Sequence, residues 1–87
     1  MKARVIIYSR PGCHLCEDAR RSIEAADCQS DYTLDEVNIE TDPELLRKYQ
    51  YDIPVVTING VERFKYYVSS KLFSAAIAEL DSQEPRS

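Results

Sequence analysis

The apolar positions of the chain follow a strand period in some segments and a helix period in others. "KARVIIY" (2–8) ends in a continuous β-branched run, which is typical of a strand covered on both faces. The breakers "SRPG" follow, and then Leu15, Ala19, Ile23 and Ala26 recur at the spacing of a helix face. "TLDEVNI" (33–39) predicts a second strand, placed nearer an edge of the sheet.

The second half of the chain predicts a helix, a hairpin and a final helix. Asp42 is a favourable N-cap with Pro43 at the first helical position, and Leu45, Leu46 and Tyr49 form the expected buried side. "PVVTI" (54–58) and "VERFKYYV" (61–68) flank Asn-Gly, the strongest short signal for a β-hairpin. The last helix is expected from about Ser70, with these residues on its buried face: Leu72, Phe73, Ala76, Ile77 and Leu80.

This order of elements predicts an α/β fold of the pattern β-α-β-α-β-β-α. The front strand–helix–strand unit implies a parallel pair with a right-handed crossover, and the hairpin adds antiparallel strands. We therefore expect a four-stranded mixed sheet with helices packed on its faces. We expect the 87 residues to form one domain, 1–87, with residues 81–87 as a frayed tail.

Composition narrows the classes of function. The net charge of −4 and the pI of about 4.9 argue against binding to nucleic acid or to an anionic membrane. The apolar stretch "VIIY" is too short for a signal peptide, and no apolar run approaches the roughly 20 residues of a membrane span. We expect a cytoplasmic monomer.

Two cysteines, Cys13 and Cys16, stand where the first strand gives way to the first helix. Unpaired N–H groups and the positive end of the dipole at a helix N-terminus stabilise an anion, so we expect the pKa of the Cys13 thiol to lie below the usual value of about 8.5. Cys16 lies one turn further on, within reach of Cys13 and partly sheltered by the helix. An exposed nucleophile and a sheltered resolving thiol are the arrangement used in thiol–disulfide exchange.

Other uses of these cysteines stay open. A structural disulfide is disfavoured because the cysteine count is odd and such bonds are rare in the cytosol, and Cys28 is expected to be a small apolar filler. Zinc takes the atom types that Cys13, His14 and Cys16 supply, but it normally wants four protein ligands, or three and a water. Incidental thiols are the remaining alternative.

The chain resembles the glutaredoxin-like proteins of the thioredoxin-fold superfamily over nearly its whole length. The resemblance rests on the order of its elements and on two motifs, "YSRPGCHLC" and "YDIPVVTING". The resemblance implies that Pro54 follows a cis peptide bond beside the cysteine pair. It also implies that the backbone of Ile53 pairs with an extended thiol substrate.

The sequence departs from ordinary glutaredoxins at the residues expected to meet a substrate. His14 and Leu15 stand between the cysteines, and a protonated His14 would favour the Cys13 thiolate. Arg10 is the basic residue three positions before Cys13, where ordinary glutaredoxins also carry a cation. The glycine pair that holds glutathione in ordinary glutaredoxins is absent here. Ser69 and the N–H groups of the last helix are left to bind a substrate carboxylate. Reduction of the Cys13–Cys16 disulfide by an upstream reductase or by glutathione as co-substrate is compatible with this pattern.

The residues therefore predict a thiol–disulfide oxidoreductase acting on protein disulfides or on mixed disulfides with a small thiol, without a tightly bound cofactor. Cys13 is the nucleophile, Cys16 is the resolving thiol, and the expected substrate contacts are Arg10, His14, Ile53, Pro54 and Ser69. The alternative is a non-catalytic thioredoxin-fold module that binds a partner protein or a metal through the same cysteine end.

Overall fold

A computed structural model describes residues 3–26 and 32–83 of the chain and confirms the predicted α/β fold. The strands are β1 (Ala3–Ser9), β2 (Tyr32–Asn38), β3 (Val55–Ile58) and β4 (Val61–Lys65). The helices are α1 (His14–Glu24), α2 (Pro43–Tyr49) and α3 (Ser70–Gln83), and a 3-10 turn, Ile39–Thr41, precedes α2.

The strands form one mixed sheet in the order β2-β1-β3-β4. Strand β1 is internal, parallel to β2 and antiparallel to β3, which in turn pairs antiparallel with β4. Strand β2 lies at an edge, as the mixed polar pattern of its sequence predicted. The register pairs Ser9 with Asn38 and Tyr8 with Val55, so the segments that carry the cysteines and Pro54 lie at the same end of the sheet.

Helices α1 and α3 cover one face of the sheet. Ile23 of α1 and Phe73 of α3 are fully buried there against Val5 and Ile7 of β1. Tyr32 packs edge-on against Phe73, with ring centroids 5.1 Å apart, and its hydroxyl donates to the carbonyl oxygen of Ile23. Burial of this apolar area is the main stabilising contribution to a domain of this size.

Helix α2 and the 3-10 turn cover the other face with a smaller cluster. Ile39, Tyr49 and Val55 are buried in it, and Tyr8 packs against Tyr49 with ring centroids 4.9 Å apart. The predicted caps of α2 are confirmed, because the carboxylate of Asp42 accepts a hydrogen bond from the backbone N–H of Glu44. Leu45 and Leu46 are half-buried at the border of this cluster.

The hairpin of β3 and β4 has the predicted turn. Asn59 and Gly60 both have positive φ, 52° and 84°, which the right-handed twist of the strands favours in a two-residue hairpin loop. Strand β4 is shorter than predicted: it ends at Lys65, since Tyr66 turns into the left-handed region with φ of 68°.

Strand β4 is the second edge of the sheet and carries charged side chains in ion pairs with other elements. Arg63 Nη2 lies 3.6 Å from an Oε1 of Glu79, and Lys65 Nζ lies 3.7 Å from Oδ2 of Asp52. Both pairs tie the edge strand to its own molecule.

Details at the end of the chain differ from the prediction. The side chain of Leu72 is 60% exposed and does not belong to the buried face of α3, because Phe73, Ala76 and Ile77 define that face. Helix α3 continues to Gln83, so residues 81–83 are helical where the sequence suggested a frayed tail. Residues 84–87 and Cys28 lie outside the described residues. None of the helices in the described ranges combines the length and the hydropathy needed to cross a membrane.

Candidate active site at the cysteine pair

Cys13 is the N-cap of helix α1 and forms a disulfide bond with Cys16. The Cα atoms of the two residues are 5.3 Å apart, which is ordinary for a disulfide. The backbone N–H of Cys16 donates a hydrogen bond of 3.2 Å to Sγ of Cys13. This sulfur therefore takes the place of the oxygen that a Ser or Asp N-cap would offer to the first turn.

The two cysteines differ in exposure. Cys13 is half-buried, whereas Cys16 is only 2% exposed and packs on the side of α1 that also buries Ala19 and Ile23. A thiol reagent from solvent therefore reaches Cys13 first. The predicted asymmetry between an accessible and a sheltered sulfur is confirmed.

The loop between β1 and α1 turns sharply at Gly12. Its φ of 77° lies in the left-handed region, where glycine carries no steric penalty, and Pro11 precedes it. This turn starts the helix at His14 and aims its first N–H groups at Cys13. The residues "RPG" are thus the local reason for the position of Cys13.

Pro54 follows a cis peptide bond from Ile53, as the resemblance implied. Pro54 is buried and directly precedes Val55, the partner of Tyr8 near the end of β1. Ile53 is half-buried against the cluster beneath α2. The sheet register therefore places the cis peptide and the cysteine loop at the same end of the sheet.

Arg10 and His14 lie on either side of Cys13 in the chain, with different surroundings. His14 is exposed at the first position of α1. Arg10 is engaged within the protein, because Nε and Nη2 of its guanidinium both donate to Oε2 of Glu40, at 3.1 and 2.9 Å.

Ser69 lies at the start of α3, where its Oγ accepts a hydrogen bond of 3.3 Å from the backbone N–H of Leu72. The hydroxyl that we expected to meet a substrate carboxylate thus caps the helix. The neighbouring Ser70 donates its hydroxyl to the carbonyl oxygen of Ser22 and joins α3 to α1.

Tyr66 and Asp52 join the site as residues that the sequence did not single out as a pair. The hydroxyl of Tyr66 lies 3.0 Å from Oδ1 of Asp52 and 3.2 Å from the carbonyl oxygen of Tyr51. The backbone N–H of Tyr66 donates to the carbonyl oxygen of Pro54. Hydrogen bonding to Asp52 raises the pKa of Tyr66, so the phenol stays protonated as a donor. The contact fixes the segment before Pro54 to the one that leads into α3.

Metal ligands do not cluster in the part of the chain that the structure describes. Within residues 3–26 and 32–83, no set of three or more His, Cys, Asp or Glu side chains is arranged to hold a metal ion.

Comparison with known proteins points to one family. The model of the glutaredoxin-like domain (DUF836) matches residues 4–79. The solution structure of protein Ne2328 from Nitrosomonas europaea is similar, with a TM-score of 0.74 and 28% identity over 87% of this chain and 92% of that chain. A search of curated proteins gives no match.

More distant structures share the fold. Protein XcR50 from X. campestris has a TM-score of 0.69 and 21% identity over 92% of this chain and 99% of that chain. The glutaredoxin-like NrdH-redoxin from Escherichia coli has a TM-score of 0.55 and 17% identity over 97% of this chain and 99% of that chain. The chain therefore belongs to the glutaredoxin-like domain family of the thioredoxin fold, and its Cys13–Cys16 disulfide supports a redox function.

Proposed function

We propose that the protein is a thiol–disulfide oxidoreductase that reduces protein disulfides or mixed disulfides with a small thiol. The observation that carries this proposal is the Cys13–Cys16 pair, in which a half-buried sulfur caps a helix and its partner is sheltered. The relation to the NrdH-redoxin, which is described as having a thioredoxin-like activity profile, is consistent with it at the level of the fold.

The reaction begins from the dithiol form. The Cys13 thiolate attacks one sulfur of the substrate disulfide, forms a mixed disulfide and releases the first substrate thiol. The Cys16 thiolate then attacks Cys13 Sγ, which forms the intramolecular disulfide and releases the second thiol. Two electrons pass to the substrate, and the protons of the two cysteines end on the released thiols.

The environment of Cys13 favours its thiolate. Because the first N–H groups of α1 converge on the N-cap position, and the N–H of Cys16 already contacts Sγ, a negative sulfur gains hydrogen bonds and the favourable end of the helix dipole. We infer that His14, at the first helical position, adds to this effect when protonated. Replacing it by Pro, which suits that position, should lower the reduction potential, and an unchanged potential excludes this role.

Return to the dithiol requires an external donor. A reductase dithiol supplies both electrons at once, whereas glutathione would supply them from two molecules that end as one glutathione disulfide. Supplying each donor separately to the oxidised protein and measuring the rate of thiol recovery distinguishes the reductase from glutathione.

We propose that the protein works as a monomer in a reducing compartment.

The test of the proposed function uses cysteine variants. Reduction of insulin and of a glutathionylated peptide is expected with the wild type and is expected to disappear in Cys13→Ser. Cys16→Ser should accumulate a mixed disulfide with the substrate on Cys13. Turnover that survives in Cys13→Ser contradicts the proposal, and stoichiometric zinc on the purified protein would favour the binding-module alternative.

A further inference from the structure

Arg10, near the cysteine pair, forms an ion pair with Glu40 of the same chain. It lies three residues before Cys13, and its guanidinium donates two hydrogen bonds to one oxygen of Glu40. The side chains of Arg10 and Glu40 are 39% and 43% exposed, so the pair faces solvent and another anion can approach it.

The local backbone holds Glu40 in this position. Asn38 ends strand β2 beside Ser9, and its side-chain oxygen accepts a hydrogen bond of 2.9 Å from the backbone N–H of Glu40. The Thr41 hydroxyl donates to the carbonyl oxygen of Asn38, and Ile39 is fully buried. The turn that carries Glu40 is therefore fixed before any substrate binds.

A second carboxylate near Arg10, that of Glu36, has different partners. Arg10, Pro11 and Glu36 line one shallow groove beside the end of β1. Glu36 accepts a hydrogen bond from the buried hydroxyl of Ser9 at 2.9 Å and pairs with Arg20 of α1 at 3.0 Å. Glu40 is thus the carboxylate that occupies the guanidinium of Arg10.

We propose that Glu40 is an internal competitor for Arg10 and lowers the preference of the site for disulfides whose thiol component carries a carboxylate. Because Glu40 already holds Nε and Nη2 of Arg10, a substrate carboxylate must either displace Glu40 or bind the remaining N–H groups beside a like charge. A neutral disulfide meets neither cost. This inference rests on the proposed function and names its substrate selectivity. Exposed ion pairs have small interaction free energies, so removing Glu40 is expected to change the selectivity by only about two- to fivefold.

The experiment measures a ratio of rate constants in single turnover. Pre-reduced protein carrying Cys28→Ser is mixed with oxidised glutathione, which bears carboxylates, or with the neutral bis(2-hydroxyethyl) disulfide. The formation of the Cys13–Cys16 disulfide is followed for each reagent, without any electron donor. The anionic-to-neutral ratio is compared among the parent protein, Glu40→Gln and Glu44→Gln. Glu44 is an exposed acid in the first turn of α2, and its substitution makes the same change in net charge.

The inference expects the ratio to rise about two- to fivefold in Glu40→Gln and to stay at the parent value in Glu44→Gln. In the Arg10→Gln background, Glu40→Gln should no longer change the ratio, because the cation for which it competes is absent. An unchanged ratio in Glu40→Gln, or an equal rise in Glu44→Gln, overturns the inference while leaving the proposed function intact. If the pre-reduced parent protein reacts with neither disulfide, the proposed function itself fails.

Discussion

The phenol of Tyr66 lies 3.0 Å from Oδ1 of Asp52, although the backbone of Tyr66 is in the left-handed region. A non-glycine residue with φ of 68° is uncommon, and for a bulky side chain this conformation is costly. The hydrogen bonds of the hydroxyl offset part of that cost. They also connect the residues before Pro54 with those that lead into α3.

Tyr66→Phe should therefore lower the free energy of unfolding, since it removes the hydroxyl with its hydrogen bonds and keeps the ring. Urea denaturation of the oxidised protein measures the change. Tyr67→Phe is the matched control: Tyr67 is 73% exposed, and its variant should unfold like the wild type. Equal stability of Tyr66→Phe and the wild type would show that the hydrogen bonds to Asp52 and Tyr51 contribute nothing.

Thr57→Val should stabilise the protein by about 1 kcal/mol. The Oγ1 of Thr57 is buried in strand β3 and has no hydrogen-bond partner among the described residues, so folding removes a hydroxyl from water without compensation. Valine has nearly the same shape and no such group. Thr57→Ser keeps the hydroxyl, loses a buried methyl group and should destabilise. A lower melting temperature for Thr57→Val than for the wild type would contradict this explanation.

The stability of the oxidised protein should fall above about pH 10 partly through Tyr49. Burial raises the pKa of Tyr49 above 10.0, and the hydrogen bond that its hydroxyl donates to Glu62 at 3.0 Å acts in the same direction. The folded state therefore binds the phenolic proton more tightly than the unfolded state. This stabilisation is fully present below the unfolded pKa and is lost as pH rises through the folded pKa.

Urea midpoints from pH 8 to 11 test this prediction, with Tyr49→Phe as the comparison. The variant should be less stable than the wild type at pH 8, and the difference between them should shrink as the pH rises. Oxidised protein is used because the Cys13 and Cys16 thiols then do not titrate. A difference that is constant across the range would exclude Tyr49 from the alkaline transition.

In the reduced protein, iodoacetamide should modify Cys13 at least about tenfold faster than Cys16. Cys16 is 2% exposed, and Cys13 is half-buried at a helix N-terminus that favours its thiolate. Mass spectrometry of Cys28→Ser protein after short labelling identifies the modified residue. Labelling in 8 M urea, where both thiols are exposed, gives the control, and equal native labelling would contradict the assigned roles.

The sequence predicted the features that depend on neighbouring residues. Cys13 at the start of α1 follows from "RPG" before a helical period, and the hairpin follows from Asn59-Gly60, because these turns depend on residues close in the chain. The parallel pairing of β1 with β2 and the antiparallel hairpin of β3 and β4 followed from the order of the elements.

Features that depend on side chains distant in the chain could not be predicted from the sequence. Arg10 and Glu40 are thirty residues apart, and their contact arises only because β1 and β2 pair in one register. The left-handed conformation of Tyr66 was not predicted either. The hydrogen-bond partners of its hydroxyl, Tyr51 and Asp52, lie more than ten residues earlier in the chain, before Pro54. Leu72 shows the limit of periodicity: it is apolar at a helical spacing, yet the sheet contacts the adjacent face of α3.

The ion pairs along strand β4 bear on how this protein behaves at high concentration. A strand from a second molecule that docked on this edge would have to approach Arg63 and Lys65, which are held by Glu79 and Asp52. Charged side chains on an exposed edge discourage such intermolecular sheet growth, which is the first step toward insoluble aggregates. The ion pairs of β4 therefore oppose the addition of a strand from another molecule at this edge of the sheet.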